Sequence, residues 1–136
     1  MKKILLIDDD EDDQLLFKVA IKSIDPTMIC DTSTNGKIAL DKLKVSTVLP
    51  DLIFLDLNMP IMNGFDFLVH IKKEDQLCRI PIGILTTSKN LLDQERTKEY
   101  GAKFFLTKPS DFQILCGKLR EILSIDFSND NYFSIK

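Results

Sequence analysis

Short apolar runs alternate along the chain with stretches in which apolar residues recur every three or four positions. The runs lack polar alternation, which is typical of strands covered on both faces of a parallel sheet, and the longer recurrence is typical of helices. Strands that alternate five times with helices require right-handed crossovers, which place helices on both faces of the sheet. The sequence therefore predicts an α/β fold, a three-layer α/β/α sandwich around a five-stranded parallel sheet. The predicted strands are residues 2–7, 28–33, 52–55, 80–85 and 103–106.

The helical stretches carry boundary signals. The first helix is expected to begin at about Asp12, among acids that suit the positive end of a helix, and to stop at Pro26. Asn35-Gly36 opens the second, and Gly101 follows the fourth in the usual capping position. The apolar residues that mark the first helix are Leu15, Leu16, Val19, Ala20 and Ile24.

The length of 136 residues favours one domain, and the hydrophobic content of 44% is sufficient for a packed core. We expect a domain over residues 1–123 and a tail over residues 124–136, either frayed or docked as a strand. The apolar run of residues 4–7 is too short for a membrane span or a signal peptide, which indicates a cytoplasmic protein without a membrane partner.

The net charge of −3 conceals one local feature, the six consecutive acids of residues 8–13. The rest of the chain has no basic excess of the kind that marks a binder of phosphate backbones, so direct nucleic-acid binding is not expected. The three cysteines form no Cys-x-x-Cys pair and are interpreted as reduced, small apolar residues.

Polar side chains follow four of the predicted strands. Asp8 and Asp9 follow the first strand, Asp56 the third, Thr86 the fourth and Lys108 the fifth. In an open parallel sheet, ligands bind outside the carboxyl ends of the strands. Loops are polar in any case, but the placement of all these residues at one edge favours a functional site.

Three carboxylates at this edge would repel one another. At about 4 Å and an effective dielectric of about 20, each pair costs on the order of 4 kcal/mol. A magnesium ion held by one or two carboxylates, with open positions for water and phosphate oxygens, would compensate, and Lys108 supplies a second positive charge. A phosphoryl group between these cations and a hydroxyl donor would leave one carboxylate free to attack phosphorus, and Asp56 is best placed to do so.

Four spaced segments carry the polar residues of this edge: Ile4-Leu5-Leu6-Ile7-Asp8-Asp9-Asp10, residues 51–60 with Asn63-Gly64, Leu85-Thr86 and Lys108-Pro109. The interval from Asp56 to Thr86 is 30 residues and that from Thr86 to Lys108 is 22. In these segments and intervals the chain resembles the response regulator receiver domain, and the resemblance covers residues 2 to about 123.

The resemblance implies a flavodoxin-like sheet of order 2-1-3-4-5 and a set of site roles. Asp56 would accept a phosphoryl group as an acyl phosphate, and Lys108 would contact that group. Asp9, Asp56 and the backbone carbonyl of Asn58 would bind Mg²⁺ directly, and Asp8 would contribute through water.

The resemblance also implies a switch. Thr86 would follow the phosphoryl group, and Phe105 matches the switch aromatic, a position where the family often has tyrosine. The Lys108-Pro109 bond is similar to the family's cis peptide. Asn58 and Ser88 are placed to influence the lifetime of the acyl phosphate.

The expected function is a phosphorylation-dependent signalling switch of a two-component system, in the form of a stand-alone receiver. Its partners would be a sensor histidine kinase or phosphotransfer protein and a downstream protein target, with a homodimer possible. The target would read the last helix, the last strand and the helix before it. Apart from its own phosphorylation and slow dephosphorylation, the protein is not expected to be an enzyme.

Three other interpretations fit parts of the sequence. An EF-hand would need glycine where Asp13 stands and glutamate where Val19 stands. A small phosphatase of the haloacid dehalogenase type would need a second acid at Asn58. A pseudo-receiver that only docks is disfavoured because the acidic residues, Thr86 and Lys108 are all present.

The remaining polar residues receive simpler interpretations. Asp10, Glu11, Asp12 and Asp13 are expected to be helix-start acids and solvated charge. His70, the one histidine in the sequence, is expected to lie on an exposed helix face.

Overall fold

The computed structural model describes residues 1–128 and 133–135 and contains the predicted alternation of strands and helices. Each predicted element is present, with bounds that differ from the prediction by a few residues. The strands are β1 (Lys3–Ile7), β2 (Ile29–Ser33), β3 (Leu52–Leu55), β4 (Ile82–Thr86), β5 (Phe104–Thr107) and β6 (Phe133–Ile135). The helices are α1 (Glu11–Ile24), α2 (Gly36–Val45), α3 (Gly64–Lys72), α4 (Leu91–Glu99) and α5 (Phe112–Leu123).

The strands form one parallel sheet in the order β2-β1-β3-β4-β5-β6. The predicted α/β sandwich and the order 2-1-3-4-5 of the first five strands are confirmed. The sixth strand was not counted in that prediction. It comes from the segment for which the sequence left a frayed and a docked tail open, and its backbone pairs with β5. A domain boundary at residue 123 stays a prediction.

The sheet separates two apolar clusters, because successive residues of a strand point to opposite faces. Leu5 and Ile7 of β1 belong to the cluster that packs against α2 and α3. Ile4 and Leu6 belong to the cluster that packs against α1 and α5. β1 is therefore packed on both faces, which fixes the position of the residues that follow it.

Only part of the apolar set that marks α1 in the sequence faces the sheet. Ala20 is buried together with Phe17 and Ile21, whereas Leu15, Leu16 and Val19 are 62%, 49% and 49% exposed. Two apolar stripes of helical spacing run along this helix, and the sequence pattern does not tell which one faces the sheet. The stripe with Phe17 faces inward, where its ring packs edge-on against the sheet.

An aromatic stack crosses the α1 and α5 face of the sheet. The ring centroids of Phe17 and Phe54 are 4.9 Å apart, and those of Phe54 and Phe104 are 5.5 Å apart. The Phe104 ring lies over Gly83 of the neighbouring strand, in the space that any side chain at residue 83 would need. This glycine is therefore required by a close approach and not by its backbone conformation.

In the part of the chain that the structure describes, no helix has the length and hydropathy needed to cross a membrane.

Gly83→Ala is expected to lower the free energy of unfolding by about 3 kcal/mol, because the added methyl group overlaps the Phe104 ring in a packed core. Gly117→Ala is the matched control: residue 117 lies in α5 with open space around it, so alanine should raise stability by about 0.5–1 kcal/mol. Urea unfolding of the variants measures both changes. Equal stability of Gly83→Ala and the wild type would contradict this packing.

Candidate functional site

The carboxyl ends of β1 and β3 bring two aspartates to the same sheet edge. The Asp8 N–H donates to the Ser33 carbonyl at 3.0 Å, and the Asp56 N–H donates to the Ile7 carbonyl at 2.9 Å. Strand pairing thus continues past the last strand residues. The backbone of both aspartates is fixed by the sheet, so repulsion between their side chains cannot be relieved by moving the strands apart.

We call Asp8, Asp9 and Asp56 the acidic cluster. Each offers a carboxylate oxygen, and these oxygens lie within 4.8 Å of one another. Asp8 and Asp56 are 1% and 6% exposed, whereas Asp9 is exposed. Carboxylate oxygens are the ligands that hard divalent cations prefer, so the acidic cluster could hold a metal ion.

The Lys108 side chain reaches the acidic cluster from the end of β5. Its Nζ lies 2.7 Å from Oδ2 of Asp8, 2.7 Å from Oδ2 of Asp13 and 3.5 Å from Oδ2 of Asp56. The backbone N–H of Lys108 donates to the Thr86 carbonyl at 2.7 Å, which fixes the backbone from which this side chain extends. Lys108 is therefore the counter-charge that the sequence predicted for this edge.

The electrostatics of the pair follow from burial and contact. Burial disfavours the ammonium, but the hydrogen bonds to Asp13 and Asp8 and the nearby charge of Asp56 outweigh it and raise the pKa of Lys108 above its ordinary value. For Asp8 the balance is reversed: burial raises its pKa to about 6, although the hydrogen bond from Lys108 acts to lower it. The site therefore holds a lysine that stays charged beside an aspartate that takes up a proton more readily than an ordinary aspartate does.

Asp13 corrects the expectation that all acids of residues 10–13 are helix-start charge. Asp10 does cap α1, accepting from the N–H groups of Asp12 and Asp13, but the Asp13 carboxylate contacts Lys108. One sequence signal could have indicated this contact. Asp13 precedes the buried Phe17 by four residues and so shares the inward-facing stripe of α1.

The loop after β3 returns close to Asp56. The Leu57 N–H donates to Oδ1 of Asp56 at 2.8 Å, and the Gly64 N–H donates to the Leu57 carbonyl at 3.0 Å. A Cβ at residue 64 would meet the backbone of Asp56 and Leu57, which explains glycine at the start of α3. Asn58 lies exposed in this loop, two residues after Asp56.

Thr86 and Phe105 lie on the same face of the sheet. Phe105 pairs in register with Ile84, which is two residues before Thr86. Both side chains are buried, Thr86 at 0% and Phe105 at 1% exposure. The structure thus brings the two predicted switch residues to neighbouring strands in one packed layer, and their role as a switch stays a prediction.

Ser88 lies just beyond β4 in a hydrogen-bonded loop. Its Oγ donates to Oδ2 of Asp93 at 2.7 Å, and its carbonyl accepts from the Thr107 hydroxyl at 2.8 Å. The Ser88 N–H donates to Oγ1 of Thr86 at 3.4 Å. These contacts connect the loop after β4 to the start of α4 and to the end of β5.

The Lys108–Pro109 peptide bond is trans, so the cis bond implied by the resemblance is wrong for this structure. An X–Pro bond favours trans by about 0.5–1 kcal/mol unless local contacts reverse it, and Lys108 reaches its carboxylate partners without the cis form.

His70 is exposed on α3 as expected, with Nδ1 2.7 Å from the Asp66 carbonyl oxygen.

The chain matches the family model of the response regulator receiver domain over residues 4–120. It is 32% identical over 123 residues to the probable methanogenesis regulatory protein FilR2 of Methanothrix harundinacea, covering 88% of this chain and 79% of that protein. Other curated relatives are much longer. The chain spans 15% of the sensor histidine kinase CheAY of Helicobacter pylori and 28% of a protein-glutamate methylesterase/protein-glutamine glutaminase of Treponema denticola.

Solved structures of similar proteins superpose on nearly the whole chain. The phosphorylated cyanobacterial phytochrome response regulator RcpA has a TM-score of 0.84 and 30% identity, with 93% of this chain and 94% of that chain covered. The Mn²⁺-bound form of response regulator Rcp1 has a TM-score of 0.76 and 31% identity, with 91% and 93% covered. The second of these structures holds a divalent metal ion.

The raised pKa of Asp8 predicts a pH-dependent loss of stability in magnesium-free buffer. Because the folded state binds this proton more tightly than the unfolded state, whose ordinary pKa is 3.8, the free energy of unfolding falls as pH rises to about 6. Asp8→Asn removes this loss. We expect it to stabilise the protein by roughly 1–3 kcal/mol at about pH 7.5 and by much less at about pH 4.

Urea unfolding at the two pH values measures the effect of Asp8→Asn. Asp75→Asn, at an exposed position, is the control and should show no pH-dependent gain. A gain from Asp8→Asn that is larger at the lower pH would contradict the direction of the pKa shift.

Proposed function

The chain belongs to the response regulator receiver domain family, and we propose that it is a phosphorylation-dependent switch of a two-component system with Asp56 as the phosphoacceptor. The observation that carries this proposal is the contact of one ammonium, that of Lys108, with carboxylates from the ends of two central strands. A phosphoryl group on Asp56 would lie beside this ammonium. The donor would be a sensor histidine kinase or a phosphotransfer protein, and the exchange would take place in the cytoplasm.

Asp56 has one carboxylate oxygen engaged and one facing Lys108. Oδ1 accepts the Leu57 N–H, whereas Oδ2 is 3.5 Å from Nζ of Lys108, so Oδ2 is the attacking atom in our proposal. It forms a bond to the phosphorus of a phosphohistidine while the bond from phosphorus to the imidazole nitrogen breaks. The products are the Asp56 acyl phosphate and a histidine that takes a proton from solvent.

Slow reversal of the switch needs only water. A water oxygen attacks phosphorus, the bond to Asp56 breaks, and inorganic phosphate leaves with the carboxylate restored. Asn58 and Ser88 flank this reaction from the loops after β3 and β4 and are proposed to set its rate. The protein thus catalyses its own phosphorylation and dephosphorylation and acts otherwise as a binding protein.

We propose Mg²⁺ as the cation of the acidic cluster. Asp9, Asp56 and the backbone carbonyl of Asn58 would hold it directly, and Asp8 would hold it through water. Three carboxylates within 4.8 Å of one another support a hard divalent ion at this position. When bound, the ion would neutralise charge on the phosphoryl oxygens.

Thr86 and Phe105 are proposed to carry the signal to a partner. A phosphoryl oxygen on Asp56 would attract the Thr86 hydroxyl, and a shift of Thr86 changes the space next to Phe105 because both lie on one face of adjacent strands. The proposed target surface is made of α4, β5 and α5. Typical coupling energies of about 1–3 kcal/mol are enough to change a partner's affinity fivefold or more. A second copy of this chain is a further proposed partner.

Incubation with a small acyl-phosphate donor and Mg²⁺ tests the phosphoacceptor. Intact-mass measurement should show one added phosphoryl group on the wild type and on the control Asp75→Asn, and none on Asp56→Asn, because the amide is not nucleophilic. Phosphate gain by Asp56→Asn would assign the nucleophile elsewhere. No gain by the wild type would identify the chain as a receiver that only docks.

Magnesium at millimolar concentration is expected to raise the melting temperature by about 3–5 °C, since binding to the folded state alone stabilises it. Asp9→Ala should remove most of this rise because it deletes a proposed ligand, whereas Asp12→Ala, an exposed acid of the first turn of α1, should retain it. Thermal unfolding with and without Mg²⁺ measures the difference. A wild type whose melting is indifferent to Mg²⁺ contradicts the proposed metal site.

A further inference from the structure

We propose that Asp13 restrains phosphorylation by competing with the phosphoryl group for Lys108. This inference rests on the proposed function of Asp56 and concerns the same site. Asp13 acts through Lys108 and is therefore a positioning residue, not a catalytic one. Its role is not among those that the family resemblance assigned to residues of this chain.

The ammonium of Lys108 lies at unequal distances from three carboxylates. An ammonium has three N–H donors, and two of them are taken by Asp8 and Asp13 at 2.7 Å each. Asp56 is 3.5 Å away, beyond the usual distance of a charge-assisted hydrogen bond. The ammonium is therefore held on the α1 side of the site, and any movement of it toward a phosphoryl group on Asp56 would be at the expense of its contact with Asp8 or Asp13.

Asp13 is the partner that can release the ammonium. The Asp8 side chain is 1% exposed, so without Lys108 its carboxylate would be left charged away from water. The Asp13 side chain is 35% exposed, so water can replace the ammonium there. The exchange of Asp13 for a phosphoryl oxygen is thus the movement of Lys108 that costs least.

The other acids of residues 10–13 cannot serve this purpose. Asp10 accepts hydrogen bonds from the first turn of α1, and Glu11 and Asp12 are exposed. Asp13 alone among these four shares the inward stripe of α1 with Phe17 and contacts Lys108. Its position is set by the packing of the helix and not by the charge of the run.

Asp13→Asn is expected to increase the initial rate of phosphorylation from the acyl-phosphate donor about fivefold, a change in the range of partly exposed ion pairs. Asp12→Asn removes the same charge one residue away without touching Lys108 and should leave the rate at the wild-type value. Asp13→Glu, which keeps the charge, should be slower than Asp13→Asn. A rate for Asp13→Asn equal to that of Asp12→Asn, or lower than that of the wild type, overturns the proposal.

A double-variant comparison separates competition for Lys108 from simple repulsion of the donor. In a Lys108→Ala background, Asp13→Asn should produce no further change, since the contested ammonium is gone. An effect of the same size in that background overturns the proposal, because it would show that the Asp13 charge acts on the donor directly.

Binding of inorganic phosphate in the presence of Mg²⁺ supplies a readout that needs no phosphoryl transfer. Titrations followed by the amide resonances of the loop after β3 should give about fivefold tighter binding for Asp13→Asn and unchanged binding for Asp12→Asn. Equal affinities, or no binding by any variant, overturn the proposal. If Asp13→Asn binds phosphate more tightly than the wild type and Asp12→Asn but the wild type is not phosphorylated, the proposed function fails. The role of Asp13 at Lys108 then stands.

Discussion

The structure depends on the confinement of like charges at one sheet edge. Strand pairing fixes the backbone of Asp8 and Asp56, so the repulsion between their side chains cannot be relieved by moving the strands. The relief comes from Lys108, which directly follows β5 and reaches both carboxylates with its side chain. The burial that raises the pKa of Asp8 shows that this lysine compensates the site only in part. Stability is given up here for an edge with excess negative charge, a pattern common at functional sites.

The fold was largely predictable because its signals are local. Apolar runs without alternation identified the five strands, and helical spacing identified the helices between them. The strand order was available only through the resemblance to a family, because local patterns do not specify which strands pair. The face of α1 that packs on the sheet could not be predicted from the sequence, because Leu15 and Phe17 belong to two apolar stripes of helical spacing. The packing of the Phe17 ring against the sheet decides between them.

The convergence of the site was also predictable, since parallel strands deliver their carboxyl ends to one edge. Asp8, Asp9 and Asp56 do meet there, and Lys108 reaches two of them. Contacts that depend on side-chain direction were not predictable. The ion pair of Asp13 follows from the orientation of a helix, and the hydrogen bond between Ser88 and Asp93 follows from the shape of a loop. The trans bond before Pro109 likewise reflects local conformation that a motif does not encode.

The parallel strand β6 has a consequence for self-association. An open sheet presents a row of unpaired N–H and C=O groups at its last strand, which can recruit a strand from another molecule and begin aggregation. By pairing with β5, β6 moves that row away from a strand rich in buried phenyl rings to a strand that spans three of the described residues, Phe133–Ile135. Very short strands are poor templates for further pairing. Among the described residues, the strand at this side of the sheet is therefore one whose length limits pairing with another molecule.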